Sequence, residues 1–305
     1  MLKLISNARV FAPKDLGVCH VLVGGGRILG VSDKKDVLSA AGATEYDFDG
    51  RRLIPGFIDG HAHVTGGGGE AGFSTRVPPV PLGDFTTAGI TSVVGVLGTD
   101  DTTRDTRSLL AQTRALREEG LGAWCHTGGY HVPPVTLTGS VRDDIVFLDP
   151  VIGVGELAIS DHRSSQPTLN ELLRIASDAH VAGMIAGKAG ILHLHLGDGD
   201  RGLDLIRCAL AESELPARVS TRPTSIVEKR FSMRPLSWRG VAAQSISPHF
   251  RSRKRKTPGA PMLRLGNIST PARLPIELRS VLMAAAACRS STNKVKCCKW
   301  ILVDR

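Results

Sequence analysis

The apolar positions of the chain fall into two regimes. Up to about residue 52 they form short runs separated by turn residues: Leu2-Lys3-Leu4-Ile5, His20-Val21-Leu22-Val23 and Arg27-Ile28-Leu29-Gly30-Val31. Such runs predict strands, with Gly24-Gly25-Gly26 as the turn between two of them. A glycine triplet that joins two strands, rather than opening a helix, predicts a hairpin and not a phosphate site. From Leu53 the pattern changes to apolar strands alternating with amphipathic helices. The strand segments begin with Leu53-Ile54-Pro55-Gly56-Phe57-Ile58-Asp59-Gly60 and continue with Thr91 to Leu97, Gly122 to His126, Val151 to Glu156 and Ile191 to Leu196. Between them, Arg104 to Glu119 sets Leu109, Leu110, Thr113 and Leu116 on one helical face and stops at Gly120. Thr168-Leu169-Asn170-Glu171 is a capping box opening a second helix, and Gly202 to Ala211 predicts a third.

Repeated βα units with near-continuous apolar strands predict a parallel sheet with helices outside it. His61, His63, Glu156 and His195 all fall at predicted strand ends, which favours a barrel over an open sheet. No glycine fingerprint marks a dinucleotide site. After Val219 this grammar stops: seven prolines interrupt the rest, and no further strand–helix unit is legible. The expected fold is therefore α/β, an incomplete (β/α)8 barrel over residues 53–219, with a small β domain at 1–52 and an irregular tail at 220–305. Five strands cannot close a barrel.

Charge sharpens this division. The formal net charge is +9, but residues 220–305 hold 18 Lys and Arg against 3 Asp and Glu, leaving residues 1–219 at −6. Such asymmetry commonly marks a nucleic-acid or membrane-surface arm. Six scattered cysteines form no disulfide framework, the first residues lack a signal pattern, and no apolar run reaches spanning length. A cytoplasmic protein is expected.

The candidate chemistry starts at His61-Ala62-His63, which closes an apolar strand ahead of Gly66-Gly67-Gly68-Gly69. Residues two apart on a strand share a face, so two imidazoles leave it together as a pair of metal ligands. Glu156 ends a buried strand, where an ionised carboxylate is costly unless a cation compensates it. His195, before Leu196-Gly197-Asp198, offers a further nitrogen at the next strand exit. Together these four can hold two divalent metal ions with a bridging carboxylate, which would acidify water and polarise a carbonyl. His193 shares the face of His195 but lies deeper, as a second-layer or core histidine. His126 and His131 are expected near the same rim, as supporting or loop residues.

Several segments resemble the isoaspartyl dipeptidase (beta-aspartyl peptidase) family of the amidohydrolase superfamily. They are Pro55 to His63, Gly67-Gly68-Gly69-Glu70-Ala71-Gly72-Phe73, Gly98-Thr99-Asp100, Tyr130-His131-Val132-Pro133, Ala158-Ile159-Ser160-Asp161-His162-Arg163 and His195-Leu196-Gly197-Asp198. The resemblance covers about residues 1–219. It implies a metal-dependent hydrolase barrel and a binuclear zinc enzyme that cleaves beta-aspartyl dipeptides with a hydroxide bridging the metals. His61 and His63 would bind one ion, Glu156 would bridge where some members carry a carboxylated lysine, and His195 would bind the second. Glu70 would receive the substrate's α-ammonium, Thr99 and Arg163 its carboxylate, and Tyr130 would donate to the scissile carbonyl. The family also suggests a homo-oligomer.

The same resemblance requires a sixth-strand histidine in Pro-Thr-His-Val-Asn-Arg and an eighth-strand aspartate in Ser-Ser-Asp-Gly, the latter a proton shuttle. Neither motif occurs in this chain. Codons exist for Ser220 to Val227 and for Ser280 to Ala285 that encode both motifs in one shifted frame. The tail therefore reads as an out-of-frame translation beginning near Val219, and the chain as inactive. Two alternatives compete: an amidohydrolase of cyclic amides, against which Glu70, Thr99 and Arg163 argue, and a nucleic-acid-binding protein using Arg251 to Lys256. Little aromatic interleaving in the tail argues against nucleic acid as a partner.

Overall fold

The computed structural model describes residues 1–220, 224–225 and 300–303. The basic tail, its Arg251–Lys256 run and the positions of the shifted-frame motifs otherwise lie outside the described residues. The chain divides into two compact units, Met1–Ile54 with Gln244–Arg305, and Pro55–Ala243.

In the first unit, β1 (Leu2–Phe11) pairs antiparallel with β2 (Asp15–Gly24), and β2 pairs antiparallel with β3 (Arg27–Ser32). The β2–β3 turn falls at Gly25-Gly26, both with positive φ, as a tight hairpin demands. Two short strands, β4 (Thr44–Asp47) and β5 (Arg52–Pro55), pair parallel with successive stretches of β1. Alternation along β1 and β2 buries Ile5, Val10, Val21 and Val23 against Phe48 and Leu53, which forms the core of this unit. Strand Trp300–Val303 adds to the same sheet beside β5.

The second unit is a half-barrel. Its parallel sheet runs in the order Thr224–Ser225, Ile191–Leu196, Val151–Ile159, Gly122–Thr127, Ile90–Gly95, Phe57–Ala62. The strands are β6 (Phe57–Ala62), β9 (Ile90–Gly95), β10 (Gly122–Thr127), β11 (Val151–Ile159) and β12 (Ile191–Leu196). A two-residue hairpin pair, β7 (Gly67–Gly68) and β8 (Arg76–Val77), lies in the loop after β6. Helices α1 (Leu82–Thr87), α2 (Thr106–Glu118), α3 (Val141–Phe147), α4 (Leu169–Ala186) and α5 (Asp204–Ala211) separate the strands. The α2 and α4 N-termini carry reciprocal capping boxes, Asp105 with Ser108 and Thr168 with Glu171. The α2 face of Leu109, Leu110, Thr113 and Leu116 is buried, as its spacing predicts.

Three local expectations differ from what forms. The apolar run from Leu53 is two strands rather than one. It breaks at Gly56, where a Cβ would stand 2.0 Å from the Thr91 hydroxyl, and Arg52–Ile54 of β5 belong to one unit while β6 belongs to the other. Strand β11 does not end at Glu156 but continues to Ile159, with its register against β12 shifted between Val154 and Leu157. The shift centres on Gly155, whose φ of +136° and close approach to the His193 carbonyl leave no room for a side chain. Finally, α2 starts after Arg104, because Asp105 takes the cap position and Arg104 is drawn into the preceding loop.

Candidate active site

Strand β6 delivers His61 and, one residue past its end, His63, on one side of the buried Ala62. Their rings stand edge to face with centroids 5.1 Å apart. Across the sheet, Glu156 at the β11 irregularity is buried and points its Oε2 at both: 3.5 Å from His61 Nε2 and 4.0 Å from His63 Nε2. One donor atom from each of the three lies within 4.8 Å of the others. Among the described residues Oε2 is a buried carboxylate oxygen with no hydrogen-bond partner, an arrangement that a divalent cation satisfies. The residues present therefore fit a metal ion.

Protonation states agree with that fit. Burial opposes the charge on Glu156, but the hydrogen bond from His195 and the neighbouring His61 and His63 outweigh it and hold the carboxyl below its ordinary value. Burial, and beyond it the charge of His63, hold His61 below its usual pKa against the pull of Glu156. A carboxylate beside a neutral imidazole is the state a metal requires.

His195 occupies a different position in the network. Its Nδ1 lies 2.9 Å from Glu156 Oε1 and 2.8 Å from the Tyr130 hydroxyl, and its Nε2 lies 3.0 Å from Asp161 Oδ2. Both ring nitrogens are thus held by protein groups, and His195 meets Oε1 of Glu156 where His61 and His63 face Oε2. Tyr130 is buried. Desolvation, reinforced by the Glu156 charge, raises its phenol pKa, so the hydroxyl keeps its proton and remains a donor.

Glu70, Thr99 and Arg163 come together in the wall of a cavity of about 300 Å³ that also admits His63, Tyr130 and His195. Thr99 Oγ1 donates to Glu70 Oε1 at 2.9 Å, and Arg163 reaches Glu70 Oε2 at 3.1 Å. Arg163 also forks onto Asp161, with Nε at 3.0 Å from Oδ1 and a terminal nitrogen at 2.7 Å from Oδ2. That hydrogen bond, opposed only partly by burial, holds the Asp161 carboxyl far below the usual carboxylate range. Asp161 therefore links the guanidinium to His195.

The deeper histidines also find definite places. His193 Nε2 lies 2.8 Å from His61 Nδ1, and its ring stacks on His126 at 5.2 Å and 17°. His126 is not at the rim but fully buried. His131 Nδ1 meets the buried Asp101 at 2.6 Å. Sequence reasoning gave no role to Asp161, Asp101 or Arg104. The one available signal was Asp161, two residues before Arg163 in a loop leaving a site strand.

The second unit is thus a parallel β/α half-barrel that carries two imidazoles and a buried carboxylate at its strand ends, beside a charged cavity. No family model matches the chain. Among solved structures it is similar to the beta-aspartyl dipeptidase of the thermophilic, keratin-degrading Fervidobacterium islandicum AW-1. Identity is 47% and the TM-score 0.70, over 72% of this chain and 60% of that one. The same enzyme in complex with the dipeptide beta-Asp-Leu gives 47% and 0.69, over 72% and 58%. The resemblance to the beta-aspartyl dipeptidases thus holds across most of the chain, which spans about three-fifths of their length. Among the described residues, no helix is long and apolar enough to cross a membrane.

Proposed function

We propose that this chain is a beta-aspartyl dipeptidase by descent that binds its substrate and metal but does not turn over. The observation that carries the reading is the buried Oε2 of Glu156, facing His61 and His63 and without a hydrogen-bond partner among the described residues, beside a cavity where Glu70, Thr99 and Arg163 meet. His61, His63, Glu156 and His195 would hold two zinc ions. Bound there, a divalent cation supplies Lewis-acid polarisation and acidifies water. Glu70 would pair with the α-ammonium of a beta-aspartyl dipeptide. Thr99 and Arg163 would hold its carboxylate by charge-assisted hydrogen bonds. Tyr130, its phenol kept protonated, would donate to the scissile carbonyl oxygen as negative charge develops there.

The absent steps explain the proposed inactivity. The chain has neither the sixth-strand histidine motif nor the eighth-strand aspartate motif, so no shuttle carries the proton to the leaving amine. We place the protein in the cytoplasm and assign no nucleic-acid role to the tail. A homo-oligomer is the assembly the family suggests.

The test is calorimetric binding of zinc and of beta-Asp-Leu, run beside a hydrolysis assay and a DNA titration. Saturable binding of both, no release of leucine and a flat DNA titration are expected. Turnover at ordinary enzymic rates overturns the inactivity, and failure to bind either ligand overturns the assignment. Sequencing the coding DNA decides the frame: unrelated codons beneath Pro223-Thr224 and Leu282-Met283 refute the shift.

A further inference from the structure

Arg104 is a buried guanidinium that the proposed chemistry does not use. One terminal nitrogen donates to the Gly67 carbonyl at 2.8 Å. The other donates to the Gly68 carbonyl at 3.3 Å and to Asp100 Oδ2 at 2.9 Å. Asp100 is itself fixed by the Thr103 backbone N–H at 2.8 Å. Arg104 thus ties the loop after β6 to the loop after β9. These two loops carry Glu70 and Thr99, which meet at 2.9 Å.

The glycine loop needs such a tie. Gly68 and Gly69 take φ of +64° and +102°, and glycine has the largest backbone freedom to lose on ordering. Among the described residues its only ladder partner is the two-residue strand β8. A Cβ at Gly68 would stand 2.7 Å from the Thr75 carbonyl, so a stiffer residue cannot replace the clamp. Stability alone does not account for a buried guanidinium here. Burying this charge is costly, and its Nε finds no hydrogen-bond partner among the described residues. What the clamp fixes is the path of the chain into Glu70, two residues beyond the second carbonyl it holds.

We propose that Arg104 is a positioning residue for amine recognition: by clamping Gly67 and Gly68 to Asp100 it holds the Glu70 carboxylate where a substrate α-ammonium meets it. The proposal rests on the assignment of Glu70 as the ammonium's partner. It makes the site selective for dipeptides with a free α-amine over the same dipeptides with that amine blocked.

The experiment is calorimetric binding of beta-Asp-Leu and of its N-acetyl derivative to the full chain, unaltered and as Arg104→Met and Arg104→Lys. A cobalt(II) absorption titration of each protein reports the state of the metal ligands. The unaltered chain is expected to favour the free amine by roughly 10- to 100-fold, the value of one charge-assisted hydrogen bond. Arg104→Met should bring the two ligands within about threefold of each other, and Arg104→Lys should restore part of the preference, because one donor can still reach a loop carbonyl. Cobalt binding should be the same in all three. If the unaltered chain shows no preference for the free amine, the assignment of Glu70 and this inference fall together. A preference in the unaltered chain that Arg104→Met leaves intact overturns this inference alone. Loss of the cobalt spectrum in Arg104→Met also overturns it, because the residue would then support the whole site and not amine recognition.

Discussion

His195 Nδ1 holds one oxygen of Glu156 at 2.9 Å and thereby aims the other at His61 and His63. The two carboxylate oxygens have different tasks: Oε1 accepts from protein, while Oε2 is left buried and without a hydrogen-bond partner among the described residues. Glu156→Gln keeps the size and removes the charge, so it should cut cobalt(II) or zinc affinity by about 100-fold or more, beyond the 10- to 100-fold typical of losing a mere supporting group. Equilibrium titration with either ion checks this, and unchanged affinity would show that the three residues do not form the metal site.

The stacked histidines predict how stability depends on pH in chelator. Burial first, then the neighbouring charge of His61, pushes His193 down to about 4 from 6.5, and burial lowers His126 and His61 as well. Folded values below the unfolded one mean that unfolding takes up protons at mildly acid pH. Stability is therefore complete above pH 6.5 and is lost as the pH falls from there towards 4, with His193 contributing on the order of 3 kcal/mol. Glu156 and Asp161, both held below their ordinary values, act only lower, from the usual carboxylate range downwards. Denaturant midpoints at successive pH values should trace this slope between 6.5 and 4, and His193→Phe should flatten it.

What was legible in the chain follows the reach of its periodicities. Alternation across Ala62 sufficed to set His61 and His63 on one side of a strand, the helical spacing of Leu109, Leu110, Thr113 and Leu116 located α2, and the Thr168–Glu171 capping box located α4. Where backbone conformation departs from the regular strand, the pattern misled. The φ of Gly155 is invisible in Val151 to Glu156, so the strand looked finished where it only shifts register. Gly56 likewise split a continuous apolar run through a contact with Thr91 that lies far off in sequence. Arg104 fitted the helical spacing of α2 and gave no hint of the carbonyls it holds. The pairings of His193 with His61 and of His195 with Asp161 depend on strand neighbours and register, which no local pattern encodes.

Arg163 should tolerate no substitution, not even by lysine. Its planar fork spans both oxygens of Asp161 while a further nitrogen reaches Glu70, a geometry an ammonium cannot reproduce. Arg163→Lys is expected to weaken beta-Asp-Leu binding by roughly tenfold or more, the loss of a charge-assisted hydrogen bond, while leaving metal affinity within about threefold. Calorimetry on both ligands separates the two. An equal loss of metal binding would mean that Arg163 acts through Asp161 and His195 rather than on substrate.

Asp144 governs stability away from the chemistry. It is fully buried at the start of α3, and it accepts from the Leu137 and Thr138 backbone N–H groups, each at 2.9 Å, and from the Thr138 and Thr127 hydroxyls at 2.7 and 2.5 Å. One carboxylate thus joins the end of β10 to the loop entering α3. Asp144→Ala would take the acceptor from the Leu137 and Thr138 N–H groups and the Thr127 hydroxyl, while the Thr138 hydroxyl keeps the Ser140 carbonyl, and removing one member of a buried charged network costs about 3–5 kcal/mol. Asp144→Asn keeps the shape but offers only one accepting oxygen, so it should cost less than the alanine change. Urea unfolding of both variants measures the order. An Asp144→Ala protein within about 0.5 kcal/mol of the original, the range of ordinary surface changes, would show that the loop does not depend on this carboxylate.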